Sequence, residues 1–119
     1  MDRKAFVELH GSFCDKLKTI TAAKNADYTG GGDPFANFKT AEIMNFGVTT
    51  EQSFMTRMVD KFTRISTFVK GGVLKVKDES VEDTLLDLAN YSILLACYIK
   101  SKRQEKSIEG AVTLQQLNS

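Results

Sequence analysis

Residues 79–91 read ESVEDTLLDLANY, a stretch in which Asp83, Asp87 and Asn90 recur at four- and three-residue spacing among leucines. At 100° per residue that spacing puts all three in one narrow sector of a helix, and Leu94 continues the line. Leu86 and Cys97 flank the sector, while Val81, Leu85, Leu88, Leu95 and Ile99 fill the opposite side. A helix that is apolar almost all round is a buried one, so its aspartates are expected at an interior or interface surface rather than on a solvent face. A carboxylate there needs a partner, because burying it alone is expensive.

The preceding long segment offers partners of the opposite sign. Ser53, Arg57, Lys61 and Arg64 line one side of a helix, with Asp60 beside them and Phe68 at the end of the row. Met55, Val59, Phe62 and Val69 occupy its other side. An acidic row and a basic row on two helices are expected to meet each other, a second copy of the chain, or a ligand. The plain outcome is an interhelical ion-pair network. The functional outcome is a polar pocket between helices, where bundles usually build their sites. In such a pocket Arg57, Lys61 and Arg64 would grip phosphate oxygens, arginine bidentately. Asp83 and Asp87 would orient the cations, accept hydrogen bonds from a base or ribose, or hold Mg²⁺ through their oxygens, with Asn90 and Tyr91 beside them as further ligand contacts.

A second stretch, KNADYTGGGDPFANF at residues 24–38, gathers Lys24, Tyr28, Phe35, Asn37 and Phe38 around three glycines. Backbone amides at Gly31 and its neighbours can approach a phosphate closely, and the aromatic rings offer faces for stacking on a base. No lysine-serine or lysine-threonine pair follows the glycines and no GxGxxG is present, so this is neither a Walker loop nor a dinucleotide fingerprint. A flexible connector is the alternative reading.

These residues must be positioned by helices. The spacing of Phe6, Leu9, Phe13, Leu17 and Ile20 predicts a first helix from about Arg3 to Ala23. A short helix is expected around Thr40–Phe46. Thr49 with Gln52 forms a capping box that opens a third helix, ending at Gly71 and Gly72. Ser80 with Asp83 is the acidic variant of that signal and opens a fourth, from about Val81 to Ser101. VLKVK at 73–77 is too short to weigh as a strand. The expected class is all-α, a small bundle of three long helices and one short one with a Gly-rich loop after the first. Residues 1–106 form the expected domain, and 107–119 a weakly ordered or partner-docked tail.

The chain has 119 residues, 42% apolar and 26% charged, with a net charge of +1. That balance exerts no global pull on nucleic acid or an anionic membrane, so any anionic ligand must be held by a local cluster. Two distant cysteines and one histidine make a thiolate zinc site improbable. Cys14, Cys97, Met55 and Met58 are expected in the core, and His10 half-buried. The charged N-terminus contains no signal-like or membrane-spanning run, so a cytoplasmic protein is expected.

Taken in order, KNADYTGGGDPFANF, RMVDKFTRI and ESVEDTLLDLANY resemble the phage proteins of the nucleotide modification associated domain 1 family, over roughly residues 24–100. The resemblance implies a phage-encoded protein that handles nucleotides. It extends distantly to the all-α nucleotide pyrophosphatases, whose helices present ExxE and ExxD motifs to Mg²⁺. This chain departs from them: Asp60 stands alone among cations, and Glu79 and Glu82 sit at a helix start where Ser80 serves as cap. Three cations balanced against three aspartates suit binding a phosphate-bearing molecule better than hydrolysing it.

The expected function is accordingly sequestration of a cyclic or related nucleotide signal without cleavage and without a cofactor. In this the chain looks like the phage sponge proteins that blunt bacterial defence. A Mg²⁺-dependent pyrophosphatase or nucleotide-modification enzyme is the second reading, and a helical assembly module the third. Two helices with double apolar faces predict a homodimer or homotetramer.

Overall fold

The computed structural model describes residues 1–29, 32–72 and 80–117, with the side chains of 25–29, 113, 114 and 117 left aside. The VLKVK segment at 73–77, Gly30 and Gly31 of the glycine run, and Glu79 lie outside the described residues. Those that are described form four helices: α1 (Arg3–Thr29), α2 (Ala36–Ile43), α3 (Thr50–Gly71) and α4 (Val81–Leu117). The fold is all-α. None of these helices is long and apolar enough to cross a membrane.

Local chemistry accounts for most of the boundaries. The Thr49 hydroxyl accepts a hydrogen bond from the Gln52 amide at 3.1 Å, and the Gln52 side chain accepts one from the Thr49 amide at 2.8 Å. This closed capping box satisfies two backbone donors at the start of α3. Gly72 ends the helix in the left-handed region at φ 73°, where glycine carries no Cβ penalty. The Ser80 hydroxyl accepts from the Asp83 amide at 3.1 Å and opens α4.

Four boundaries differ from the sequence reading. α1 runs six residues past Ala23, to Thr29, because Asn25, Ala26, Asp27 and Tyr28 each cost a helix interior little. α2 begins at Ala36 rather than near Thr40. Asp33 organises that start: its carboxylate accepts from the Phe35 amide at 2.9 Å and pairs with the Lys39 ammonium. Pro34 therefore precedes a helix here instead of excluding one. Asn45, at φ 60°, stops α2 before Phe46. α4 continues as helix to Leu117, well beyond Ser101.

The core is aromatic and lies where α2, α3 and α4 meet. Phe38 stacks on Phe54 with centroids 3.8 Å apart and planes 6° from parallel, and Phe35 meets Tyr98 edge-on at 5.4 Å. Phe54 is fully buried, and Tyr91, Leu94 and Leu95 pack around the cluster. Thr50 and Thr84, also buried, find acceptors locally, Thr50 on the Glu42 carboxylate and Thr84 on the Ser80 carbonyl.

Outside this core much apolar surface stays open. Cys14, Cys97 and Met55 are exposed rather than buried, Met58 is only half-buried, and His10 is exposed on α1. One face each of α3 and α4 packs inward, while Val59 and Phe62 on α3 and Leu85 and Ile93 on α4 stay uncovered among the described residues. The radius of gyration is 18.7 Å, against about 13.5 Å for a compact chain of this length.

Candidate functional site

The acidic stripe of α4 faces cations from two helices, α1 and α3. The Asp87 carboxylate is divided between them: Oδ1 accepts from the Lys24 ammonium at 2.8 Å, and Oδ2 lies 3.3 Å from the Lys61 ammonium. The Asp87 and Lys61 side chains are only 17% and 15% exposed, so this pairing is screened far less than a surface ion pair. One turn earlier, Asp83 lies 3.6 Å from Lys16 in a more open setting. Hydrogen bonding from Ser80 at the helix start, helped by the Lys16 charge, holds the Asp83 carboxyl below the usual aspartate range. One turn later Asn90, buried, accepts a 2.6 Å hydrogen bond from the Thr21 hydroxyl. The stripe thus fixes α1 against α4 at three levels while also reaching α3.

The basic row of α3 divides. Lys61 turns inward to Asp87. Arg57 lies exposed, its guanidinium 5.0 Å from the centroid of the Phe38 ring, a cation–π arrangement. Arg64 lies 3.3 Å from Asp60 one turn back on its own helix. Lys61, Lys24 and Asp87 therefore form one constellation, and Arg57 and Arg64 extend the basic row along α3 beside it.

The residues expected around the glycines are less united. Lys24 joins the Asp87 pair, but from the end of α1 and not from a loop. Phe35 and Phe38, expected to stack on a base, are core residues. Phe54 covers one face of Phe38 and Arg57 attends its ring, so its area goes into packing. Asn37 is exposed on α2. Tyr91 is half-buried with its ring edge-on to Phe38 at 6.0 Å. The Tyr28 side chain and Gly31 lie outside the described residues.

Two participants escaped the sequence reading, Lys16 and Thr21, both on α1. A signal for this packing was present in Lys24. It continues the line Phe13, Leu17, Ile20 at helical spacing, so a cation stands in register with an apolar stripe. Such a placement asks for a buried acidic partner.

Chemically the constellation favours anions. An ammonium carries three donors, and among the described residues the Lys61 ammonium meets a single carboxylate oxygen, leaving donors that can turn to a phosphate oxygen. No three His, Cys, Asp or Glu side chains converge as metal ligands among the described residues. Clefts lie elsewhere, one of about 350 Å³ between α2 and α4 lined by Lys39, Glu42, Ile43, Thr50 and Tyr98. An apolar one of about 240 Å³ is formed by Phe13, Glu82, Leu85 and Leu86.

No curated protein and no solved structure matches the chain. A family model does match, over residues 24–100, which include Lys24, the whole of α2 and α3, and α4 through Asp87 to Lys100. The chain belongs to the nucleotide modification associated domain 1 family.

Proposed function

We propose that this protein binds a phosphate-bearing nucleotide at the Lys24–Asp87–Lys61 constellation and holds it without cleaving it. The observation that carries this reading is the Lys61 ammonium, largely buried between α3 and α4 with one described carboxylate oxygen at 3.3 Å. Asp87 presents an oxygen to each lysine, so it serves to position cations. Phosphate oxygens would displace part of that ion pairing and take up the lysine donors, with Arg57 and Arg64 further along the same helix supplying charge. Family membership supports a nucleotide as the phosphate bearer. Phe35 and Phe38 drop out of the ligand-contacting set because their rings build the core. Asp83, Asn90 and Tyr91 support the constellation from its own helix.

In this reading the protein acts in the cytoplasm as an assembly of copies, withdrawing a cyclic or related nucleotide signal from a defence pathway on behalf of a phage. The test is incubation with a panel of mononucleotides and cyclic dinucleotides, with and without Mg²⁺, followed by denaturation and chromatography of what was held. Intact ligand in the denatured fraction is the expected result. A chemically altered ligand, formed only with Mg²⁺, would make the protein a pyrophosphatase or modification enzyme. No retained nucleotide would leave the constellation a structural ion-pair network in an assembly module.

A further inference from the structure

α3 has two apolar faces, and the described residues of the chain cover only one. Phe54 on the inner face is fully buried, whereas Met55, Val59, Phe62 and Val69 are 49%, 57%, 64% and 76% exposed. With Ser66 between the last two, these positions are spaced four, three, four and three residues apart. That alternation is the seam of a helix that packs lengthwise on another helix. It runs about 21 Å along the axis, and no charged residue interrupts it.

We propose that this seam is the contact between two copies of the chain, with their α3 helices antiparallel about a two-fold axis near Phe62. This deepens the assembly part of the reading above and is independent of its ligand part. On a helix wheel Arg57 lies roughly opposite the seam.

Three observations favour a second copy as the occupant. First, a two-fold contact must be self-complementary, and the polar positions beside the seam, Thr56 and Thr63, are neutral and so do not repel their own images. Second, the two ends of α3 differ in sign, with Glu51 in the first turn and Lys70 in the last. An antiparallel pair sets the Lys70 end of one helix level with the Glu51 end of the other. A parallel pair would set like against like. Third, the chain exposes 8886 Å² at a mass of 13.2 kDa, where a compact monomer exposes about 6,400 Å². The excess is roughly 2,500 Å², ample for the roughly 800 Å² per partner that a stable interface buries.

Sedimentation equilibrium from about 1 to 100 µM tests the idea on the full chain, comparing the unmodified protein with the double variant Val59→Lys, Phe62→Lys. The unmodified protein should show two chain masses or an even multiple, and the variant half of that at unchanged helicity by circular dichroism. A monomeric unmodified protein, or a variant of undiminished mass, overturns the proposal. Should the variant lose its helicity, cross-linking decides. In a Cys14→Ser, Cys97→Ser background, Phe62→Cys, which meets its own image at the two-fold axis, should give a disulfide-linked dimer under mild oxidation, while Asp60→Cys does not. Equal cross-linking at both positions, or none at either, overturns it.

Discussion

Asp87 and Lys61 face each other from α4 and α3 with 3.3 Å between Oδ2 and Nζ, while the other Asp87 oxygen takes the Lys24 ammonium of α1 at 2.8 Å. One carboxylate thus joins three helices. Replacing it leaves the largely buried Lys61 ammonium facing a site that no longer compensates it, which costs more than the attraction of the pair alone.

Asp87→Asn keeps the shape and removes the charge, and should lower stability by about 2–3 kcal/mol in urea denaturation at neutral pH. Lys16→Ala, which removes the open partner of Asp83, should cost clearly less. In the ligand-binding reading, calorimetry should show that Asp87→Asn weakens nucleotide binding equally with and without Mg²⁺. Loss of a Mg²⁺-dependent turnover in this variant would instead mark Asp87 as a metal ligand.

Arg57 is exposed and over an aromatic ring, so Arg57→Ala should leave the fold intact and cost at most about 1 kcal/mol of stability. Its effect on nucleotide affinity, and that of Arg64→Ala, should be about ten- to a hundredfold for one lost charge-assisted phosphate contact. Unchanged affinity in both variants assigns the row to surface and intrahelical pairing.

Phe54 is fully buried and stacked on Phe38. Phe54→Ala should cost about 3–5 kcal/mol, visible as a large fall in melting temperature by calorimetry. A fall of only a few degrees would mean that the aromatic cluster is not the core of the cooperative unit.

Glu42, hydrogen-bonded by the Thr50 hydroxyl and amide, is held below the usual glutamate range. Asp33 is lowered by its hydrogen bond from Lys39 and by the Phe35 amide, and Asp83 chiefly by Ser80. A depressed native value means that the stabilisation is complete above the unfolded value, near pH 4, and is lost as pH falls through the native one. Urea midpoints should therefore fall on acidification below about pH 4, and Glu42→Gln should flatten that fall. An unaltered acid limb in the variant would show that Glu42 contributes nothing to it.

The four helices were legible because their signals are local. Thr49 with Gln52, Ser80 with Asp83, and Gly72 act within one turn of the chain, and the periodic apolar residues act within one helix. The start of α2 was misplaced because Asp33–Pro34 breaks a helix or begins one, depending on whether the aspartate finds Phe35 and Lys39.

The sequence by itself determined that an acidic row would line one face of α4 and a basic row one face of α3, and left open whether they meet each other, a second copy or a ligand. Only the tertiary structure decided how they divide. Asp87 takes Lys61 and reaches back to Lys24, Asp83 goes to Lys16, and Arg57 goes to the Phe38 ring. It also decided that Phe35 and Phe38 build the core, while Met55 and Cys97 face outward. Helical periodicity fixes which residues share a face of one helix, whereas pairing and burial depend on the crossing of helices far apart in the chain. A wheel carries no information about that crossing, because it is set by how α2 and α1 pack on α3 and α4.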